Sequence, residues 1–246
     1  MIRSANPALN NQVFKGLSLS KTSEVMTLQG TVNKIFILLI LLSLSSSYTW
    51  NLYYSNFKYM SFLMFGSSVL SLLLAMITIF KKHLAYISSP LYALAKGVFL
   101  GSVSSYFESM YPGIVIQAVG LTFATCFSLL LAYKSGLIRA TENFKLGVAA
   151  ATGGIFLIYF LSFIASFFVS TNFAIFSSGP IGILFSLFVV VVASLNLVMD
   201  FDFIESACKR KVPAYMEWYA AFGLMVTLAW LYIEILHLLA KTQKRN

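Results

Sequence analysis

Seven apolar stretches, each long enough to cross a lipid bilayer, occupy this chain from Ile35 to Ala240. A spanning helix needs roughly twenty mostly apolar residues. The first stretch runs from about Val32 to Trp50 and the second from Phe57 to Phe80, closed by Lys81 and Lys82. The third follows Pro90 and runs to Phe107, and the Tyr111-Pro112-Gly113 turn divides it from the fourth, which ends near Tyr133. The fifth covers about Leu146 to Val169. The sixth opens at Gly179-Pro180, with proline in a favoured first-turn position, and ends near Phe201. The seventh runs from about Tyr215 to Ala240. These runs are continuous rather than alternating, which excludes barrel strands and points to an all-α integral membrane bundle. The expected organisation is a polar cytoplasmic segment, residues 1–30, followed by a seven-helix transmembrane bundle, residues 31–246.

Only 10% of the residues are charged, while 59% are hydrophobic and the mean hydropathy is +0.84. A soluble domain carries about a quarter charged residues, so a chain this poor in charge cannot clothe a water-facing surface. The formal net charge of +9 sits at the ends of apolar runs, where lysine and arginine set orientation and meet anionic headgroups. No polar stretch interleaves basic and aromatic residues, so nucleic acid is not an expected partner. With the N-terminus inside, the inner segments carry Lys34, Lys81, Lys82, Lys134, Arg139, Lys145, Lys209, Arg210 and Lys211 among others, and the outer ones Lys58, Lys241, Lys244 and Arg245. That bias places the N-terminus inside and the C-terminus outside, with the basic tail as the dissenting segment. The first 30 residues are polar, so the apolar run from Ile35 lies too far in for a signal-peptide core and is read as a retained span. Cys126 in an apolar run and Cys208 in a basic loop argue against a structural disulfide, and His83 and His237 fit no metal-ligand spacing. No phosphate loop, HExxH or nucleophile elbow is present, so the chain is not expected to be an enzyme and needs no cofactor. Gly97 with Gly101, and Gly153 with Gly154, mark places where helices can approach closely. The serines from Ser43 to Ser47 are expected to bond locally.

Charges inside the apolar runs carry the functional signal, because a charge in hydrocarbon costs roughly 2.5 to 3.5 kcal/mol on insertion scales. Lys96 lies in the run Leu91 to Leu100, and either snorkels or partners a buried carboxylate. Asp200 and Asp202 close the sixth span, with Asn196 one turn before Asp200 on the same face. Ile181 to Met199 already spans about 28 Å at 1.5 Å per residue, which sets Asp200 near the inner boundary. Glu217 opens the seventh span, and Glu234 lies deep within it, with His237 three residues on.

Several strings around these residues resemble the Bax inhibitor family, also called the transmembrane Bax inhibitor motif family. They are Leu91-Tyr-Ala-Leu-Ala-Lys-Gly-Val-Phe-Leu-Gly101, Tyr111-Pro-Gly-Ile-Val115, Thr152-Gly-Gly154, Asp200-Phe-Asp-Phe-Ile-Glu205 and Tyr215-Met-Glu-Trp-Tyr219. Arg3-Ser-Ala-Asn-Pro-Ala-Leu9 resembles the N-terminal segment of a bacterial subgroup. The resemblance covers nearly the whole chain in order. It implies a seven-helix bundle with the last helix central, in a bacterial inner membrane. It implies a pH-sensitive calcium leak gated by one carboxylate from the sixth helix and one from the seventh, and a link to stress response through cell-death suppression or modulation of a membrane protease.

Carried onto this sequence, the sixth-helix carboxylate is Asp200, with Asp202 next. The seventh-helix one is Glu234, by its Leu231-Tyr-Ile-Glu234 string, or Glu217, by its depth, since Glu234 lies roughly 28 Å along a helix that starts near Tyr215. Asp200 and Glu234 are the expected, transient calcium ligands. Lys96 stands where that subgroup is expected to carry glutamate. Two carboxylates in one low-dielectric site hold a shared proton more readily than two charges, and losing that proton would part the helices and bare hard oxygen ligands. The competing expectation is a non-conducting regulator that binds other membrane proteins through the polar segment before Gln29.

Overall fold

The computed structural model describes residues 24–55, 58–168 and 174–245. Within them lie seven helices long and apolar enough to cross a membrane: α1 (Leu28–Tyr54), α2 (Met60–Phe80), α3 (Ala85–Met110), α4 (Ile114–Lys134), α5 (Glu142–Ala165), α6 (Pro180–Lys209) and α7 (Met216–Arg245). The chain is a multi-pass, all-α membrane protein. The segment Arg3–Leu9 of the sequence pattern lies outside the described residues.

Helix ends depart from the apolar runs for local reasons. α1 begins at Leu28 rather than Val32 because Thr27 caps it, its hydroxyl accepting the Gly30 N–H at 3.0 Å. α5 begins at Glu142 rather than Leu146 because Thr141 caps it in the same way, accepting from Phe144 N. α3 begins at Ala85, before Pro90 rather than after it. A proline there removes a single backbone donor, the one that would reach the Tyr86 carbonyl. α6 continues past Phe201 to Lys209, so its length of about 45 Å exceeds a hydrocarbon core of about 30 Å. The Tyr111-Pro112-Gly113 turn forms as expected, with Gly113 at φ 84°, a left-handed conformation glycine adopts without strain.

The chain divides into two compact units. One comprises Gly113–Phe201 and Thr227–Asn246, that is α4, α5, most of α6 and the later part of α7. Its core joins Ile155, Val189 and Val192 to Tyr159, Phe185 and Trp230. Lys241 binds its own unit through the carbonyls of Ile175 (3.0 Å) and Gly182 (3.1 Å) and the hydroxyl of Ser186 (2.8 Å). Gly153 and Gly154 are exposed, and a side chain at either would meet no atom within 4 Å among the described residues. This corrects the expectation that they mark a close helix approach: small residues permit contact, but here no neighbour takes it up.

The other unit holds α1, α2, α3 and Asp202–Val226. α3 packs against both α1 and α2. Its glycines are the contact: a Cβ on Gly97 would overlap Ser45 Oγ and the Leu42 carbonyl, and one on Gly101 would lie 2.5 Å from the Ser46 carbonyl oxygen. Ser45 bonds back to the Leu41 and Leu42 carbonyls, so its hydroxyl is satisfied within α1. Tyr92 meets Phe222 edge to face at 4.9 Å, joining α3 to the start of α7. Residues 24–26 lie antiparallel to the α6–α7 connection, with Met26 N–H donating to Val212 O (2.7 Å) and Ala214 N–H to Glu24 O (2.9 Å).

Gly97→Leu is expected to cost about 1–3 kcal/mol through overpacking against α1, whereas Gly153→Leu leaves stability unchanged. Thermal unfolding of the two variants in detergent separates these outcomes.

Candidate functional site

The last two helices carry the polar groups that an apolar bundle does not tolerate without compensation. α7 buries 61% of its most apolar window, the α3 segment 50% and α6 44%, against 11–17% for α1, α2, α4 and α5. On them Asp200 is 0% exposed, Glu234 4% and Glu217 5%. Three of the four carboxylates singled out in the sequence are therefore interior groups, and the fourth, Asp202, is half-buried.

Glu217 is the most fully engaged. It occupies the second position of α7 and lies against the N-terminus of α1. Its Oε1 accepts both the Thr27 N–H (2.8 Å) and the Thr27 hydroxyl (2.9 Å). Its Oε2 forms an ion pair with the Lys34 ammonium, which also lies 5.6 Å from the Trp218 ring centroid. A carboxylate at the positive end of two helices is stabilised by both sets of N–H dipoles. Gly30 makes room for this arrangement, since a Cβ there would overlap the Glu217 carboxylate. Thr27, Gly30 and Lys34 carry no site signal in their own sequence context, where Lys34 is one of the charges that set orientation. Tyr219, two residues further along α7, is fully buried, with no hydrogen-bond partner for its hydroxyl among the described residues.

Glu234 is held differently, in the other unit. Both its oxygens lie 3.2 Å from the Tyr159 hydroxyl, and Oε1 accepts the Trp230 indole N–H at 3.1 Å. Tyr159 comes from α5, and Trp230 is one turn back on α7. Phe176 and Phe185 flank the Tyr159 ring at 5.9 and 6.1 Å. The donors are neutral, and a tyrosine hydroxyl can also accept, so this pocket can satisfy Glu234 in either protonation state. His237 is exposed although Glu234 is buried, so the shared face of α7 divides between them.

Asp200 belongs to the same unit as Glu234. One turn before it, Asn196 donates to Thr152 Oγ1 on α5 and to the Val192 carbonyl, both at 2.9 Å. The polar face expected from the Asn196–Asp200 spacing is thus an interior one, and its Asn196 reaches α5. Lys96 is half-buried, with its ammonium 4.8 Å from the Phe99 ring centroid on its own helix. Among the described residues no cluster of three or more histidine, cysteine or acidic side chains could hold a metal ion.

The family model for Bax inhibitor 1 like proteins matches residues 6–244, nearly the whole chain. The chain belongs to the Bax inhibitor 1 like family. No curated protein matches it. In this Bax inhibitor 1 like protein, the buried carboxylates lie on α6 and α7.

Gly30→Ala is expected to destabilise the protein by about 2 kcal/mol, because it displaces the Glu217 carboxylate from its partners. In a Glu217→Ala background the same change becomes neutral or slightly stabilising, since alanine is the better helix former. A double-mutant cycle by thermal unfolding measures the reversal. Tyr159→Phe is expected to cost about 1–3 kcal/mol by leaving Glu234 short of a donor, read in the same assay.

Proposed function

We propose that this protein is a proton-controlled cation leak, with calcium as the principal ion, working through the buried carboxylates of α6 and α7. The reading is supported above all by the burial of Asp200, Glu217 and Glu234 in an apolar bundle. Ionisable groups inside a membrane are costly, and they mark ion or proton pathways more often than they serve stability. Membership of the Bax inhibitor 1 like family supports the same reading.

The chemistry follows from the two environments. Glu234, among neutral donors, can hold or release a proton without losing its hydrogen bonds. Asp200 is the second proton-sensitive group, in the same unit. When either buried carboxylate is ionised, its uncompensated charge favours a rearranged bundle, and its oxygens suit a hard cation such as calcium. When the carboxylates are protonated, the bundle closes. The change is a local electrostatic event biasing a two-state helix packing. The lysine and arginine bias between alternate connections supports an inside N-terminus, and the resemblance of the sequence to a bacterial subgroup supports an inner-membrane location.

Purified protein in proteoliposomes should pass more calcium at about pH 8 than at about pH 6, a window in which a carboxylate buried in low dielectric can titrate. Asp200→Asn should abolish that difference. Equal flux at both pH values in the unaltered protein would refute proton control. No flux from folded, inserted protein would favour a non-conducting regulator of other membrane proteins.

A further inference from the structure

Glu217 is shut in by the N-terminal edge of its own unit. Both carboxylate oxygens are occupied, Oε1 by the Thr27 N–H and hydroxyl and Oε2 by the Lys34 ammonium. The chain just before Thr27 is pinned to the connection between α6 and α7 by two backbone hydrogen bonds, Met26 to Val212 and Ala214 to Glu24. Between those bonds Val25 and Pro213 face each other as a non-hydrogen-bonded antiparallel pair. Pro213 fits that slot because no donor is required of it. The strap, the ion pair and the α1 cap therefore form one mechanical unit: lifting residues 24–26 pulls Thr27 from Glu217.

The two ends of the ion pair differ in freedom. The Glu217 side chain is 7% exposed and that of Lys34 is 22% exposed. Lysine carries its charge on a long flexible stem, so Lys34 can swing towards water while Glu217 stays buried. Trp218 gives the ammonium a second face to rest on in the closed position. The ammonium is thus a tethered cation that occupies the carboxylate in place of a mobile one.

We propose that residues 24–27 and Lys34 form a clasp over Glu217, which keeps its carboxylate from mobile cations when shut and exposes it when Lys34 swings out. The clasp stands on this geometry alone. Its effect on ion flux rests on the leak reading above.

The test is labelling of Glu217 by a hydrophobic carbodiimide, followed by mass spectrometry on the full chain in proteoliposomes, with Glu234 as the internal reference. Lys34→Met should raise the Glu217 labelling rate roughly tenfold, as expected when a local closing interaction is lost. Lys34→Arg, which keeps the cation, should stay near the parent rate. A Val25→Cys, Pro213→Cys pair, in a background with Cys126 and Cys208 changed to alanine, should cross-link under mild oxidation and label more slowly oxidised than reduced. Unchanged Glu234 labelling across the set shows that each variant is folded. The proposal is overturned if Lys34→Met labels Glu217 no faster than the parent, or if the cross-link leaves the rate unchanged. Calcium flux read on the same vesicles separates the two claims. Labelling that responds without any flux keeps the clasp and removes the leak, while flux with unresponsive labelling does the reverse.

Discussion

Placing a carboxylate in an apolar interior is the constraint from which the rest of this structure follows. An unpaired charge there costs several kcal/mol, so each buried acid must be met by a partner or by a proton. Glu217 is met by a full charge, a threonine and the N-termini of two helices. Glu234 is met by neutral hydrogen-bond donors, a tyrosine and a tryptophan, with the Lys241 ammonium acting on it only through space. The first arrangement holds an anion, and the second accepts an anion or an acid. That difference underlies the clasp proposed at Glu217 and the proton exchange proposed at Glu234, both on α7.

The spans were legible because hydropathy reports the thickness of the apolar slab, and all seven were found where the apolar runs lie. Their ends were less legible because a helix stops where its caps and bonds stop, not where hydropathy falls. Thr27 and Thr141 extend α1 and α5 through polar first turns, and α6 runs on through Asp202, Glu205 and Lys209, the last two paired at 2.5 Å. The glycines show the same limit. Gly97 and Gly101 read as a close-approach pair and are one, while Gly153 and Gly154 read the same way and face open space. Sequence spacing says which face is small. Only packing says whether a neighbour lies there.

At the candidate site, the buried acids were visible as charges in apolar runs, but their partners were not. Lys34 is 183 residues from Glu217 and Tyr159 is 75 residues from Glu234. No local pattern links residues at such separations. Gly30 carried no signal of its own beyond following the Thr27 cap, although it is the residue whose missing side chain admits Glu217. His237, three residues after Glu234, lies exposed while Glu234 is buried. At roughly 3.6 residues per turn, three residues leave an offset of about 60° around the helix, so a burial boundary can run between two side chains of one face.

The central claim is that a buried carboxylate of α6 or α7 changes protonation near neutral pH. Infrared difference spectroscopy of the reconstituted protein between about pH 6 and about pH 8 reads this directly, since a carboxylic acid and a carboxylate absorb at separate frequencies. The account predicts a carboxylic-acid band lost on raising the pH, and missing from the difference spectrum of Asp200→Asn or Glu234→Gln. A spectrum with no such band, or with one that survives both substitutions, would contradict it.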